Sequence, residues 1–408
     1  MQSRVDKSAL AAGRRWSVLA GAFGAVLFLV CCAFVRGGLF DSAPYGDVHL
    51  YGTYAARMAA GRWPYGDFFD EYPPLAQPLF LVVHALPGGY AHAFRWTMAL
   101  FGACAVALLV ASLASTGASR RRLALAAATA GISPILIGPI ALNSFDFWPA
   151  LLVSAALLAF IRRHERAAYV LLALAVAAKV YPVVLLPLAL IETWERGGRV
   201  LLRRAAIWFA GPLLLVQLPF AIAGPGGLRY SYWIQLKRGL EVESLGGAVL
   251  LALDRLGLHH VELRAEAPGS TNVAGSLAGA IATVSSLVAL AAVLLVAWRY
   301  LHGRREPLVA AAAAVVGFIA FGKVLSPQYV DWLVPLVPAA GAAASAVLLA
   351  TLALTHVVFD RFHDPGGPGG TDYKAGLAWW VIARDLVLVA LYVLLVLRLR
   401  RRPIVSKT

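Results

Sequence analysis

Residues 14–36 read RRWSVLAGAFGAVLFLVCCAFVR. Two arginines lead into twenty residues, 16–35, that carry no charge, and an arginine closes the run. At 1.5 Å per residue, about 20 apolar residues in a helix cross the roughly 30 Å hydrocarbon core of a bilayer. A secretory signal has a shorter apolar region of about 7–15 residues and a small-residue cleavage site. The run is therefore expected to stay as a first membrane span, with the basic stretch 1–15 as a cytoplasmic tail.

Working outward, ten further apolar runs follow, at 75–87, 92–116, 123–142, 147–161, 167–191, 205–223, 273–298, 307–321, 332–358 and 377–397. Several are short or interrupted, at Lys179–Pro182 and at Pro335 and Pro338. Broken helices occur at membrane depth where the freed backbone is buried in protein or lines a cavity. Counting the broken runs both ways gives about 10–13 crossings. The expected fold is all-α and polytopic, one membrane domain over 1–408 with juxtamembrane helices in an outer loop.

Composition agrees. Of 408 residues, 60% are hydrophobic and 14% charged, against about 25% charged in soluble domains. The mean hydropathy is +0.74. A net charge of +15 on a soluble protein would suggest nucleic acid as a partner. Here the arginines sit in clusters between apolar runs: Arg14-Arg15, Arg120–Arg122, Arg162-Arg163, Arg203-Arg204, Arg304-Arg305 and Arg400–Arg402. That pattern sets topology, since Lys and Arg stay in the cytoplasm, and it places the C-terminal tail 398–408 there as well. No nucleic-acid partner is expected. Cys31, Cys32 and Cys104 lie inside apolar runs without metal spacing and read as small hydrophobes.

One conflict stays open in the sequence. If 75–87 and 92–116 both cross, the Arg120 cluster lands outside, against the charge rule. Either 75–87 is re-entrant or the cluster is an exception.

Two segments fall on the side away from the arginines. The first, 36–74, holds Tyr45-Gly-Asp-Val-His-Leu-Tyr51 and Gly61-Arg-Trp-Pro-Tyr-Gly-Asp-Phe-Phe-Asp-Glu-Tyr-Pro-Pro-Leu75. The second, 224–272, holds Arg238-Gly-Leu-Glu-Val-Glu-Ser244. Elsewhere stand Ala178-Lys-Val-Tyr-Pro182 and Lys323-Val-Leu-Ser-Pro-Gln-Tyr329. In their order along the chain the four pieces resemble the GT-C superfamily of membrane glycosyltransferases. They are most similar to the family 87-like α-mannosyltransferases, which use a polyprenyl-phosphate sugar.

The resemblance implies the following expectations. Asp47 takes the proton of the acceptor hydroxyl, as glycosyl transfer requires of a base. Lys179, Arg238 and Lys323 hold the donor phosphate, because Arg grips phosphate bidentately and Lys acts as a point charge. An ionisable residue inside a membrane run, as Lys179 is, reads by default as functional. His49, Glu71, Asp146, Glu243, Gln328 and Tyr329 are candidate substrate contacts, with Glu243 and Ser244 placed to orient Arg238. The donor sugar is mannose, the acceptor a glycolipid or polysaccharide, and the remaining partners are membrane lipids. Asp47-Val48-His49 stands where some relatives carry two acids around one residue. A single carboxylate with an imidazole is a poor Mg²⁺ site, so metal-independent transfer without a cofactor is expected.

The residues by themselves leave plainer readings. Asp47 and Asp146 suit helix N-caps, Asp67 and Asp70 suit a solvated loop, Tyr329 and Trp332 suit the membrane interface, and Arg384-Asp385 suits an internal ion pair. A transporter or lipid flippase shares broken helices and buried charge, but repeat-built transporters show internal symmetry, and none is apparent.

Overall fold

The computed structural model describes residues 7–36, 46–266, 270–363 and 376–400. Tyr45 of the first motif, Asp41, the glycine-rich stretch 364–370 and Arg401-Arg402 lie outside the described residues. Fifteen α-helices are formed among those described, six of them long and apolar enough to cross a membrane.

Helix α1 (Lys7–Phe34) runs from the first arginines to the acidic segment. There the short helices α2 (Val48–Ala59) and α3 (Ala76–His84) follow. Nine residues of α3 span only about 14 Å, under half a hydrocarbon core, so α3 does not cross. Its neighbours Pro73-Pro74 and Pro87 explain why. This settles the conflict left by the sequence: α4 (Tyr90–Ser115) returns, and the arginines opening α5 (Arg120–Ile137) share an end with those opening α1. Arg120 lies over the Trp16 ring at 5.5 Å, and α1, α4 and α5 pack together.

Helix α5 leads through α6 (Ile140–Asn143) into α7 (Phe147–Ile161), and α8 (Glu165–Ala178) comes back. A 3₁₀ turn at Tyr181–Leu185 then starts α9 (Leu186–Ala223), whose helical geometry breaks at Gly197 and Gly198. Gly198 has φ +54, a conformation that costs glycine little. The kink turns the chain at the arginine end, where Arg196 bonds Glu165 and Glu192, so α9 contributes two passes.

The second segment is not a plain loop. It holds α10 (Pro225–Lys237), α11 (Leu245–Arg255) and a small antiparallel sheet ordered β1-β3-β2 from β1 (Leu240–Glu241), β2 (Glu262–Glu266) and β3 (Ser270–Ala274). Leu240 and Leu263 both pair with Val273. Val242, Leu250, Leu251 and Val261 bury a second apolar cluster against Val358 and Val381. The sheet is a departure from the all-helical expectation, too short and irregular to show as a period of two.

Helix α12 (Ala278–His302) and α13 (Pro307–Phe321) follow. Residues 308–316 of α13 are buried on every side, as a helix apolar all round must be. The expected span at 332–358 divides. Residues 322–340 cross the protein as irregular chain with 3₁₀ turns at Pro327–Leu333 and Val337–Ala340. They begin beside Leu236, whose carbonyl accepts from Lys323 Nζ at 2.9 Å. They end where Arg122 Nε donates to Ala339 O at 3.0 Å and Arg398 donates to Ala340 O. Such backbone is tolerated at membrane depth because α5, α7, α13 and α14 enclose it. Helices α14 (Ala342–His363) and α15 (Leu377–Arg398) complete the chain.

Among the described residues the chain passes twelve times between an arginine end and an opposite end. The protein is a multi-pass membrane protein. Single cysteines at Thr116 and His302 should therefore react with an impermeant maleimide from one side of sealed vesicles, and cysteines at Arg62 and Leu258 from the other. All four positions are exposed, and a mixed pattern would refute the twelve-pass path.

Candidate functional site

At the end opposite the arginines, the four sequence motifs meet. Gly46 has φ +107 and lies against Asn143, where any side chain would come within 2.4 Å of the Asn143 carbonyl oxygen. Arg95 holds that asparagine through a 2.9 Å bond from Nε to Oδ1. This contact places Asp47 at the start of α2 without using it as a cap, since its side chain makes no cap bond. Its Oδ2 instead accepts from Tyr72 Oη at 3.0 Å and from Tyr51 Oη at 3.3 Å. Oδ1 has no hydrogen bond among the described residues.

Tyr51 is held by rings on several sides, stacking on Phe80 at 4.5 Å and meeting Tyr72 and Phe145 edge-on. Asp70 is fully buried, not solvated as the loop reading had it, and its Oδ1 accepts from Tyr72 N at 2.8 Å. Asp67 accepts from Trp63 N. Tyr65 donates to the Tyr72 carbonyl. Tyr72 is thus fixed from both sides, and Leu75 N bonds Ala177 O at 3.0 Å, tying the segment to the end of α8.

Two residues on stands Lys179, in extended backbone where α8 stops. Its Nζ bonds Asp146 Oδ1 at 2.6 Å and lies over the rings of Phe145, Trp332 and Tyr329 at 4.8, 5.3 and 5.4 Å. Trp332 Nε1 donates to the same Asp146 oxygen at 2.5 Å. Asp146, like Asp47, makes no cap bond; both carboxylates face the junction of the motifs. Trp332 is not interfacial. It is buried, stacked on Tyr181 at 3.8 Å and on Tyr329 at 4.3 Å.

The second segment supplies Arg238, whose Nη2 bonds Glu241 Oε1 at 3.0 Å. Glu241 in turn accepts from Leu325 N at 2.8 Å and donates its own N–H to Lys323 O, so the Arg238 and Lys323 motifs are sewn together. Arg238 lies within electrostatic reach of Glu71, Tyr72 and Tyr329. Its Nε is buried and has no acceptor among the described residues, a donor that costs energy until something accepts from it.

Two placements differ from the sequence reading. Glu241 orients Arg238, whereas Glu243 accepts from Arg384 at 3.0 Å inside α15; Arg384 also bonds Asp385 at 2.9 Å, the internal pair the sequence suggested. The polar groups of a buried guanidinium need several acceptors, and Glu243 and Asp385 supply them. Ser244 caps α11, accepting from Gly247 N. His49 is exposed on α2, with the buried Val48 and Tyr51 marking the face turned inward. Gln328 is half-buried in the same 3₁₀ turn as Tyr329.

Burial dominates the electrostatics. It raises the Asp47 carboxyl above the ordinary range, opposed by the Tyr72 bond and the Lys179 charge. Burial, reinforced by Asp47, pushes Glu71 up to about 8. Asp70 rises to about 7, again by burial.

Reading the sequence alone missed Tyr51, Tyr72 and Asp331. Asp331 is fully buried, with Ser144 Oγ 3.5 Å from Oδ2 and no partner for Oδ1 among the described residues. An acid within an apolar 3₁₀ run was the signal for it.

The sequence model of glycosyltransferase family 87 matches residues 69–327, well over half of the chain. The chain belongs to glycosyltransferase family 87. It is thereby a GT-C type membrane glycosyltransferase. The matched stretch contains Glu71, Tyr72, Asp146, Lys179, Arg238 and Lys323; Asp47 precedes it and joins it through Tyr72. No curated protein matches the chain. Among solved structures, the glycosyltransferase is similar to the crystal structure of ArnT from Cupriavidus metallidurans bound to undecaprenyl phosphate. The two are 15% identical with a TM-score of 0.48, over 94% of this chain and 76% of that one.

Asp70 gives a pH test of this electrostatics. Its folded pKa lies above the ordinary carboxylate value, so the stability it contributes is full below about 4 and is lost as pH rises through about 7. Asp70→Asn should stabilise the protein relative to the parent at pH 9, by at most about 4 kcal/mol at about 1.4 kcal/mol per pH unit, read as a higher melting temperature. The gain should shrink as pH falls below about 7 and vanish only below about 4. A gain independent of pH would contradict the assignment.

Proposed function

We propose that this glycosyltransferase moves a hexose, mannose by its resemblance, from a polyprenyl-phosphate carrier to an acceptor hydroxyl on the outer membrane face. One observation carries the reading: Asp47, held by two phenols, shares a cluster with Lys179 and with Arg238, whose buried Nε awaits an acceptor. The arginine end is cytoplasmic by the charge rule, which puts both termini inside and the cluster outside. Nucleotide sugars are cytoplasmic, so an outer site needs a lipid-carried sugar.

The donor phosphate sits between Arg238 and Lys179, with Lys323 adding charge behind. Lys179 keeps its bond to Asp146 and presents its remaining N–H groups. Free oxygens of Asp146 and Asp331 (Oδ2 and Oδ1, without partners among the described residues) accept from sugar hydroxyls. The acceptor oxygen attacks the anomeric carbon from the face opposite the phosphate. Its proton passes to Asp47, the new glycosidic C–O bond forms, and the bond to phosphate breaks, releasing polyprenyl phosphate with inversion. Transfer proceeds without a metal; the cationic side chains neutralise the leaving phosphate. A glycolipid or polysaccharide hydroxyl fits the acceptor side, reached past Glu71 and the exposed face of α2.

Asp47→Asn in membranes given a polyprenyl-phosphate [¹⁴C]mannose should lose transfer by at least about 100-fold, the lower end of general-base contributions, while donor binding persists. Unchanged transfer would remove Asp47 from the role, and transfer from a nucleotide sugar would remove the lipid donor. Rate should fall on acidification as Asp47 protonates. Tyr72→Phe deletes the strongest opposing bond and should move that acid limb upward by roughly half to one unit, the worth of a bond of about 1 kcal/mol. Arg238→Gln should raise the donor KM more than it lowers kcat.

A further inference from the structure

Away from the reaction site, at the arginine end, lies a cavity of about 240 Å³ between α7, α8, α9, α12 and α13. Leu185 at the end of the 3₁₀ turn and one face of the first arm of α9, with Leu188, Ala189, Glu192 and Arg196 at helical spacing, line it. From Leu185 to Arg196 that face is about 16 Å long, close to half the hydrocarbon core. The cavity therefore occupies one leaflet, the one whose surface the arginine clusters mark. Its deep walls are apolar, from Leu157, Leu172 and Ala311 among others, and its mouth carries Arg163, Arg196 and Arg305.

The three arginines are not equivalent. Arg196 is held by Glu165, Glu192 and the Phe160 carbonyl. Arg305 is held by Glu195 and approaches Glu192, and Tyr300 donates to Glu192 at 2.5 Å. Arg163 has no carboxylate partner among the described residues. It is exposed, and its backbone sits at φ +61, a conformation that only Gly, Asn and Asp adopt readily. Three cations against one carboxylate line the cavity, and one cation is uncommitted at its rim.

We propose that this cavity is a binding site for an anionic glycerophospholipid of the cytoplasmic leaflet. The headgroup phosphate lies on Arg163 and the exposed edge of Arg305, and one acyl chain enters along α9 beneath Leu185. Basic pockets between membrane helices on the cytoplasmic side are suited to such headgroups. A zwitterionic lipid offers Arg163 the same phosphate but brings an ammonium into a mouth lined by Arg163, Arg196 and Arg305, so its net attraction is smaller. A soluble anion satisfies Arg163 but leaves the apolar wall empty. The site is independent of the reaction chemistry: it lies in the other leaflet and shares no residue with the Asp47 cluster.

The full-length protein, delipidated and placed in nanodiscs of phosphatidylcholine with 20% phosphatidylglycerol, provides the test. We expect phosphatidylglycerol to be retained on re-extraction at about one per protein by native mass spectrometry, and phosphatidylcholine not. Arg163→Asn keeps a residue that accepts φ +61, and Ala189→Leu fills the cavity without touching its charges. Each should cut retention of phosphatidylglycerol at least about tenfold, while Arg120→Gln, a cluster residue outside the cavity, leaves it unchanged. Equal retention of both lipids would overturn the proposal, as would retention that survives both substitutions. Loss with Arg163→Asn but not with Ala189→Leu would mean surface charge alone and would also overturn it. Melting in detergent without added lipid shows whether either variant is misfolded. Should one be, Arg163→Gly, which also accepts φ +61, or Ala189→Val replaces it under the same criteria.

Discussion

A charged amine sits where a membrane helix stops, and it must be answered there. Lys179 closes α8, and the 2.6 Å contact with Asp146 supplies the answer. Removing either partner would strand a charge in surroundings where an unpaired ion is costly. Asp146 is buried, and Phe145, Tyr329 and Trp332 stand around the amine. This pair brings the ends of α7 and α8 together with the irregular crossing at 322–340, and those elements form the floor of the site.

The rest of the cluster is hung on that floor by backbone bonds more than by side-chain contacts. Leu75 to Ala177, and Glu241 to Lys323, are main-chain links between segments a hundred or so residues apart or closer. They add direction to the apolar packing of both segments, which by itself would not keep a carboxylate within hydrogen-bond distance of two phenols. Irregular backbone also has orphan donors and acceptors that must be satisfied inside the protein. The same requirement that stabilises the broken spans thereby positions the reacting groups.

The opposite end follows a different logic. There the arginines are spent on neighbours: Arg122 and Arg398 on the carbonyls of Ala339 and Ala340, Arg196 on Glu165 and Glu192. These bonds close the turns of the bundle at the membrane surface, where guanidinium groups still reach water. The two ends thus divide the work, one anchoring the chain and the other carrying the chemistry.

The sequence alone determined that the chain spans a membrane many times, because charge-free runs of bilayer length leave no other solvent. It also determined which end the arginines mark, and that Asp47, Lys179, Arg238 and Tyr329 belong to ordered motifs of a glycosyltransferase. It did not reveal that 75–87 fails to cross, that 322–340 crosses without a regular helix, or that 240–241, 262–266 and 270–274 pair into a sheet. Hydropathy reports how apolar a run is, not where its backbone bonds go. Nor did it separate Glu241 from Glu243, two residues apart in one motif with opposite partners. Which acid meets Arg238 and which meets Arg384 depends on the packing of α15 against the second segment, and only the tertiary structure decides that.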